Sequence, residues 1–294
     1  MKRLVSRRPL ILFTLVLFVS GPKAARTGPL EDAVLGDPAP APAADTLRVL
    51  TWNVAHGRAD GFHQALLPRD EVERNLGRIA QVLRHERPDV VALQEADGPS
   101  AWSGNFDHVS TLARDGGLGR FFRGDHNPFG LGVYELSSGT ALVSRLPIAR
   151  PESRAFAANW RDTKGFVAGT VRLPGSGQEV DVVSVHLDFL NPAERREQIQ
   201  SLAAALGERA RPLLVLGDLN CEAEAGEVFR LFEEHLGVRP YRPELEEPTF
   251  PSTRPIRRLD WILASEELKF VGYRTLDVRL SDHLGVVAEV RLAG

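Results

Sequence analysis

The chain has 294 residues, of which 43% are hydrophobic and 26% charged, and this composition is ordinary for a globular protein and excludes extensive disorder. Its single cysteine, Cys221, excludes an internal disulfide framework. Residues 1–26 hold six of the 36 basic residues and no acidic residue, so the rest of the chain has nine more acidic than basic residues. That excess disfavours tight non-specific binding of nucleic acid without excluding a local basic surface.

The N-terminus has the pattern of an export signal. Basic residues precede the apolar stretch Leu10–Val19, which as a helix would be about 15 Å long, roughly half of a bilayer core of ~30 Å. We therefore predict a signal peptide over residues 1–25 and an exported, periplasmic or secreted protein. The alternative is an uncleaved segment that anchors the protein to the membrane. Residues 26–46 are rich in Pro and Ala and are predicted to be an extended linker.

Residues 47–294 alternate strand and helix signals, which predicts one α/β domain. Leu47–Val54 is typical of a strand, and Asp70 is predicted to cap a helix that continues to His85. The buried strand Asp89–Gln94 is expected next. Residues 96–130 contain nine glycines or prolines among aromatic residues and are predicted to form long surface loops. Four histidines are expected at the surface in loops, with contact to the substrate as the alternative: His56, His63, His108 and His126.

The second half of the domain predicts a further helix and a set of strands. A Pro-Gly-Ser-Gly turn at residues 174–177 joins two strands as a hairpin, and the helix spans residues 192–208. Hairpins together with helical crossovers predict mixed sheets. The predicted strands are Thr140–Ser144, Gly165–Leu173, Glu179–His186, Leu213–Leu216, Arg258–Leu263, Lys269–Arg274 and Val286–Leu292.

Six short polar motifs follow one another in the chain, and five of them begin within or at the end of an apolar run. Strands that leave a core and end in carboxylates, amides and imidazoles build a site at one edge of a sheet. These residue types suit a hard divalent metal that acts on phosphate. The motifs are Thr51-Trp52-Asn53, Leu93-Gln94-Glu95, Ser184 to Asp188 (SVHLD), Gly217-Asp218-Leu219-Asn220, Leu259-Asp260-Trp261 and Ser281-Asp282-His283.

Carboxylates at the strand ends suggest a metal ligand and a base. Glu95 follows a nearly continuous apolar run, where a carboxylate is costly unless it is paired or binds a metal. We predict a Mg²⁺ ligand there, with a solvated rim residue as the alternative. Asp218 and Asn220 lie two apart on an extended segment, so both side chains face the same way. The acid can accept a proton from water while the amide donates to a phosphoryl oxygen; a simple turn is the alternative.

Histidines and further polar residues complete the predicted site. Asp260 is proposed as the partner of His283, which it would orient and keep protonated. His186 is predicted to donate to the phosphate or the leaving group, unless it is a core histidine. Asn53 is predicted to donate to phosphate. Lys164 either contacts the phosphate or is a solvated turn residue.

This ordered set resembles the endonuclease/exonuclease/phosphatase superfamily, which includes pancreatic-type deoxyribonucleases, abasic-site endonucleases, inositol-polyphosphate 5-phosphatases and neutral sphingomyelinases. The resemblance covers residues 47–294. It implies a four-layered α/β sandwich of two mixed sheets with helices outside. It also implies that Glu95 binds Mg²⁺ with Asn53 and Asp282 near the metal. Asp218 would activate water and Asn220 would hold it or the phosphate, while His283, paired with Asp260, and His186 would stabilise the transition state and assist the leaving oxygen.

The resemblance implies a metal-dependent phosphodiesterase that uses an activated water. Ala55 stands where abasic endonucleases carry an acidic residue, which weakens assignment to that branch, and Thr163-Lys164-Gly165 is similar to sphingomyelinase and lipid-phosphatase relatives. The expected substrate is nucleic acid or a phospholipid head group, the cofactor is Mg²⁺ with Mn²⁺ as an alternative, and the protein is expected to be a monomer. The alternatives are a phosphate monoesterase of the inositol-phosphatase type and a non-catalytic binding module. Contact with a membrane surface predicts apolar residues at loop tips, for which the candidates are Trp102, Phe106, Phe129 and Trp160.

Overall fold

The structure, a computed structural model, describes residues 39–61, 63–126, 129–131, 134–136, 139–156, 164–208, 210–223 and 226–294. The predicted signal segment and most of the predicted linker lie outside the described residues. Residues 39–46 contact the domain: the Ala39 N–H donates to the His85 carbonyl at 2.9 Å, and Arg48 donates to the Pro40 carbonyl at 2.8 Å. No helix in these described segments is both long and apolar enough to span a bilayer.

The first sheet has six strands in the order β13-β14-β1-β2-β6-β3. Its strands β1 and β2 are parallel, and β14 and β6 pair antiparallel on either side of them. Both faces of the central strands are covered, which explains their uninterrupted apolar sequence. The strands are β1 (Leu47–Asn53), β2 (Val90–Gln94), β3 (Arg120–Asp125), β6 (Gly139–Ser144), β13 (Leu268–Thr275) and β14 (Val286–Leu292).

The second sheet also has six strands, in the order β11-β12-β10-β9-β8-β7. Here β9 and β10 are parallel, and β12 and β8 pair antiparallel with them. A separate two-stranded ribbon joins β4 (Phe129–Leu131) to β5 (Tyr134–Leu136). The strands of the second sheet are β7 (Ala149–Ala155), β8 (Gly165–Arg172), β9 (Glu179–His186), β10 (Leu213–Asp218), β11 (Val238–Pro240) and β12 (Asp260–Ser265).

Three apolar cores hold four layers together. Alternate residues of each central strand face opposite cores, as the strand period of two requires. In β10, Leu214 and Leu216 pack between the two sheets, whereas Leu213 and Val215 pack under the outer helices of their own sheet. Helices α1 (Arg69–Glu86) and α2 (His108–Asp115) cover the first sheet, and α3 (Pro192–Leu206) and α4 (Gly226–Leu236) cover the second. The fold is the predicted α/β four-layered sandwich.

Two local predictions were wrong. Asp70 does not cap α1: the helix begins at Arg69 after Pro68, and the Asp70 carboxylate pairs with Arg74 on the exposed surface at 2.5 Å. Residues 96–130 are not only loops, because they contain α2 and the edge strand β3. Helix α2 is capped by the Asp107 carboxylate, which accepts from the Ser110 N–H at 2.8 Å. A helix of eight residues between glycine-rich segments gives too short a periodic signal to recognise.

Candidate active site

The polar motifs meet at one edge of both sheets, which we call the site edge. Parallel pairing brings the carboxyl ends of β1 and β2 together in the first sheet, and those of β9 and β10 together in the second. The antiparallel strands β12 and β14 begin at this edge, and β8 begins there beside His186. The edge therefore collects Asn53, Glu95, Lys164, His186, Asp218, Asp260, Asp282 and His283, as the strand-end pattern predicts.

Asp218 lies at the centre of this group. It is a cross-strand partner of both His186 and Asp260 in the sheet register. Its Oδ2 accepts from Asn53 Nδ2 at 3.0 Å and lies 3.5 Å from His186 Nε2 and 3.7 Å from His283 Nε2. Asn53 comes from the first sheet, so the carboxylate is held from both sheets at once.

Burial raises the pKa of Asp218 above its ordinary value of 3.8, and the neighbouring Asp260 acts in the same direction. The His283 imidazole and the Asn53 amide oppose this rise, because both stabilise the charged carboxylate. A carboxylate with a raised pKa is a stronger base than one in water. Asp218 is thus suited to take a proton from a water molecule near neutral pH.

His283 and Asp260 form the pair proposed from the sequence. The distance from His283 Nδ1 to Asp260 Oδ2 is 2.8 Å, and Asp260 is fully buried at the start of β12. Burial alone would lower the pKa of His283, but the Asp260 and Asp218 carboxylates raise it to about 10. The imidazole is therefore a cation at neutral pH, with Nε2 directed to the Asp218 side of the site. Within the described segments, the buried Asp260 Oδ1 has no hydrogen-bond partner.

His186 has the opposite charge state. Burial and the adjacent Lys164 ammonium hold the pKa of His186 well below its ordinary value of 6.5. Lys164 Nζ lies 2.8 Å from His186 Nε2, so a neutral imidazole can accept from the ammonium. Lys164 thus lies inside the site, in contact with His186. His186, neutral as it is, retains one N–H for donation.

Asn220 is held at the same edge but contacts the chain itself. Its Nδ2 donates to the Leu187 carbonyl at 2.9 Å, and its N–H donates to Asp218 Oδ1 at 3.0 Å. The residue has a φ of +50°, in the left-handed region that asparagine tolerates better than most residues. In this geometry Asn220 orients Asp218 and ties β10 to the loop after β9.

Glu95 is fixed by neighbours that the sequence analysis had not assigned to the site. His56 lies between two carboxylates, with Nε2 3.1 Å from Glu95 Oε2 and Nδ1 2.8 Å from Asp97 Oδ1. Asp97 also accepts from Trp102 Nε1 at 3.0 Å, and Asn53 Nδ2 lies 3.3 Å from Glu95 Oε1. Burial raises the pKa of Glu95, but the His56 cation and the Lys164 ammonium together outweigh it and hold this pKa well below the usual value.

His56 was predicted to be an exposed loop residue, and this was wrong. It sits in a short 3₁₀ helix, half-buried, with a φ of +55°. Burial lowers the pKa of His56, but the Asp97 and Glu95 carboxylates raise it to about 10. His108 and His126 are also buried, whereas His63 is exposed as expected. The signal for His56 lay in the spacing, since it follows Asn53 by three residues and Asp97 follows Glu95 by two.

Asp282 contacts a second residue that the motifs had not identified. Arg58 donates from Nη2 to Asp282 Oδ2 at 2.5 Å and from Nη1 to the Gly61 carbonyl at 2.7 Å. The other oxygen of Asp282 lies 3.4 Å from the Ser281 hydroxyl, which donates to the Asn53 carbonyl at 2.7 Å. Nothing in the local sequence marks Arg58, because it reaches Asp282 across 224 residues of chain.

The two described loop-tip residues that were proposed for membrane contact are partly buried. Trp102 and Phe106 are half-buried. Trp102 donates a hydrogen bond to Asp97, and the Phe106 ring centroid lies 4.7 Å from that of His108. The side chain of Phe129 and all of Trp160 lie outside the described residues.

Comparison with known proteins supports the same family. The model of the endonuclease/exonuclease/phosphatase family matches residues 50–283. The chain belongs to the endonuclease/exonuclease/phosphatase family. It is 27% identical over 270 residues to the uncharacterized protein YbhP of Escherichia coli K12, a match that covers 84% of this chain and 97% of YbhP.

Solved structures of the family share the fold. An endonuclease/exonuclease/phosphatase from Beutenbergia cavernae superposes with a TM-score of 0.67 at 23% identity, covering 85% of this chain and 72% of that one. The human Nocturnin catalytic domain with a bound sulfate anion superposes with a TM-score of 0.64 at 22% identity, covering 85% and 94%. Family members are generally hydrolytic phosphoesterases, among them nucleases and phosphodiesterases, and they usually depend on a divalent metal.

Two sets of residues at the site edge offer the kinds of ligand atoms that a hard cation binds. Asp218, Asp260 and His283 offer ligand atoms that all lie within 4.8 Å of one another. Glu95 and Asp282 offer carboxylates that are 22% and 24% exposed, with lone pairs not used by their protein partners. The chemistry of the second set suits Mg²⁺ better, because this ion keeps several waters and needs one or two carboxylates. In the first, a protonated His283 is not a ligand.

A cavity of about 970 Å³ opens at the opposite edge of the second sheet, and its lining includes Leu213, Ser265 and Glu233. None of the predicted site residues lines it. Glu233 and Arg239, which both line this cavity, form an ion pair with each other at 2.7 Å. The polar cluster at the site edge is therefore the candidate active site.

Proposed function

We propose that this family member is a Mg²⁺-dependent phosphodiesterase that hydrolyses its substrate by direct attack of water. The observation that carries the proposal is the position of Asp218, a buried base between a neutral histidine and a cationic one. Water and a phosphodiester give a phosphomonoester and an alcohol, and the proton of the attacking water passes to Asp218. A metal bound by Glu95 and Asp282 would neutralise charge on the phosphate.

Each residue of the proposed site has its own role in this reaction. Asn53 and Asn220 hold the two oxygens of Asp218 so that the base faces the site. Cationic His283, fixed by Asp260, donates from Nε2 to a phosphoryl oxygen as charge develops there. Lys164 adds a second positive charge beside His186, and neutral His186 donates its remaining N–H to the phosphate or the leaving oxygen. No covalent enzyme intermediate is needed.

The substrate is proposed to be nucleic acid or a phospholipid head group. The N-terminal basic and apolar pattern supports export to the periplasm or the medium, with anchoring to the membrane if the segment is retained. Manganese is the alternative metal, and a monomer is proposed.

The test is hydrolysis by the purified protein with and without Mg²⁺, on plasmid DNA and on sphingomyelin in parallel. Soluble bis(p-nitrophenyl) phosphate and p-nitrophenyl phosphate serve as a diester and a monoester without a recognition group. Asp218→Ala should lower the rate by more than 100-fold, in line with the ~10²–10⁴ contribution of a positioned base. Exposed His63→Ala is the matched control and should keep the wild-type rate.

The outcomes separate the alternatives. Near-wild-type turnover by Asp218→Ala would disprove the proposed base. Hydrolysis of the monoester alone would favour a phosphatase of the inositol-phosphatase type. Metal binding without hydrolysis of any of the four substrates would favour the non-catalytic binding module.

A further inference from the structure

Two adjacent apolar side chains project into solvent beside the active site. Phe189 is 62% exposed and Leu190 is 75% exposed, and they follow the His186-Leu187-Asp188 motif directly. Clusters of large apolar side chains with this exposure are unfavourable in water, and such clusters mark interaction sites. The Phe189 ring centroid lies 6.0 Å from Lys164 Nζ, so this apolar tip is continuous with the proposed catalytic centre.

The turn that carries the pair is held by a dense set of hydrogen bonds. Asp188 Oδ1 accepts from the N–H groups of Leu190 and Asn191 at 2.8 and 2.6 Å. The Asp188 N–H donates to Gln198 Oε1 at 2.8 Å, and Asn191 caps α3 by accepting from Ala193. These contacts fix the backbone of the turn, so binding of Phe189 and Leu190 to a surface requires little further ordering of the backbone.

Two other loops present aliphatic side chains at the same edge. Leu66 is 72% exposed in the connection between the end of β1 and α1, and Ile256 is 68% exposed in the connection that leads into β12. The Ile256 loop contacts the site through Phe250, whose ring centroid lies 4.8 Å from that of His283. Thus the four most exposed large apolar side chains of the described segments lie in connections at the site edge.

The chemistry of these four residues favours a lipid surface over a nucleic acid. Aromatic rings stack on bases, but the exposed leucines and isoleucine have no such use, whereas all four suit the boundary between head groups and acyl chains. Lys164 beside Phe189 places a cation where a head-group phosphate would lie. The acidic excess of residues 27–294 disfavours a polyanion and an anionic bilayer, which leaves a zwitterionic one.

We propose that Leu66, Phe189, Leu190 and Ile256 dock the site edge on a zwitterionic phospholipid surface, which brings a head-group phosphodiester to Asp218. The identity of the hydrolysed bond rests on the proposed function. The docking itself does not, because it requires no turnover and can be measured without a metal.

The first test places a fluorophore at the docking surface of the full chain. Leu190→Cys is labelled with a nitrobenzoxadiazole dye, and Val271→Cys on the edge strand β13 is the matched exposed apolar control. The native Cys221 does not compete, because it is buried and its pKa is raised to about 12. Both proteins share the same N-terminus, so any anchoring by that segment is equal in the pair.

Phosphatidylcholine vesicles should shift the emission of the label at residue 190 to the blue, and doxyl-lipid in the acyl region should quench it. The label at residue 271 should change little. Equal responses at the two positions, or no response at residue 190 while the protein is bound to vesicles, would overturn the proposal. A response at residue 190 to a single-stranded oligonucleotide but not to vesicles would replace the lipid surface with nucleic acid.

The second test links docking to turnover. The ratio of the rate on vesicle phosphodiester to the rate on a soluble diester should fall about tenfold or more in Leu190→Ser, the factor expected from removing one buried leucine from an apolar interface. Val271→Ser should keep the wild-type ratio. An unchanged ratio in Leu190→Ser would overturn docking while leaving the phosphodiesterase intact. Lipid-dependent fluorescence with no hydrolysis of any diester would overturn the proposed function and leave docking intact.

Discussion

Charge in the active site is arranged residue by residue. Two histidines of the same ordinary pKa take opposite charge states because their neighbours differ. His186 lies beside a lysine and stays neutral, while His283 lies between two carboxylates and is protonated. Such divergence between titratable groups in one cleft is the pattern of acid–base chemistry, in which each group is held in the form that its task needs.

The His283–Asp260 pair predicts a pH dependence of stability. The pKa of His283 is raised from 6.5 to about 10 in the folded protein, so the folded state binds the proton more tightly. This contribution is fully present below pH 6.5 and is lost as pH rises through about 10, with a slope of up to ~1.4 kcal/mol per pH unit. His56 acts in the same direction, because its pKa is also raised to about 10.

Urea unfolding at pH 7, 8 and 9 in EDTA checks this. The free energy of unfolding of the wild type should decrease as pH rises. In Asp260→Asn it should decrease less steeply, by up to the ~1.4 kcal/mol per pH unit that one proton contributes. The remaining slope should come largely from His56. Equal slopes in the two proteins would contradict a protonated His283.

The sequence identifies site residues at the ends of strands and misses residues that reach the site from loops. Asn53, Asp218 and Asp260 were predictable because an apolar strand fixes the positions of the residues at its two ends. Arg58 and Asp97 were not, since a loop can direct its side chains in many ways and only the folded chain selects one. The Asp260–His283 pair was proposed because a buried carboxylate needs a partner.

Strands β9 and β10 approach each other near the site more closely than a side chain at residue 217 would allow. A Cβ added to Gly217 of β10 would lie 1.9 Å from the Val185 carbonyl oxygen of β9. Gly217 directly precedes Asp218, so the close approach of the two strands sets the spacing between Asp218 and His186. Glycine is used here for its missing side chain and not for an unusual φ.

Gly217→Ala should therefore destabilise the protein and weaken catalysis together. Overpacking costs typically ~1–3 kcal/mol, and separating β9 from β10 would displace the base. Gly77→Ala in α1 is the matched control, because nothing lies within 4 Å of its added Cβ. It should stabilise the helix by about 0.5–1 kcal/mol at an unchanged rate. Thermal unfolding with diester hydrolysis measures both, and similar effects of the two substitutions would contradict the close-approach argument.

Elements with a clear apolar pattern were predictable from sequence, whereas β7 and α4 were not. Strand β14 begins and ends as predicted, and α3 ends two residues early, because their apolar patterns extend over several residues. Strand β7 has mostly exposed or half-exposed residues, so it lacks the apolar run that marks a central strand. Helix α4 was not predicted from the sequence.

The site belongs to the whole molecule, because its residues come from both sheets. Asn53, Glu95 and His283 lie at the edge of the first sheet, and His186, Asp218 and Asp260 at the edge of the second. The inter-sheet core supports this junction from below, with Val49, Leu216 and Ile262 among its buried members. The sandwich as a whole was inferred from resemblance, since strand signals alone predict mixed sheets but not how two sheets pack.

Metal binding at such a junction should stabilise the entire domain. At a Mg²⁺ concentration of 100 times Kd, binding to the folded state adds about 2.7 kcal/mol to the free energy of unfolding. In a domain of this size ~1 kcal/mol moves Tm by roughly 2–4 °C, so Tm should rise by several degrees in a single transition. Calorimetric scans at increasing Mg²⁺ measure this, with Glu95→Gln expected to remove most of the shift.

His56→Ala distinguishes the residue that positions Glu95 from Glu95 itself. His56 holds Glu95 Oε2 through a contact that Asp97 orients on the other side of the imidazole. Residues that orient a metal ligand typically contribute ~10–100-fold to metal affinity. The full Tm shift should therefore return in His56→Ala at about 10–100 times more Mg²⁺, whereas Glu95→Gln should not recover. If His56→Ala responds at the wild-type concentration, then Glu95 is fixed by Asn53 and the backbone alone. Two separate transitions, only one of them moved by Mg²⁺, would show that the sheets do not share the site as one cooperative unit.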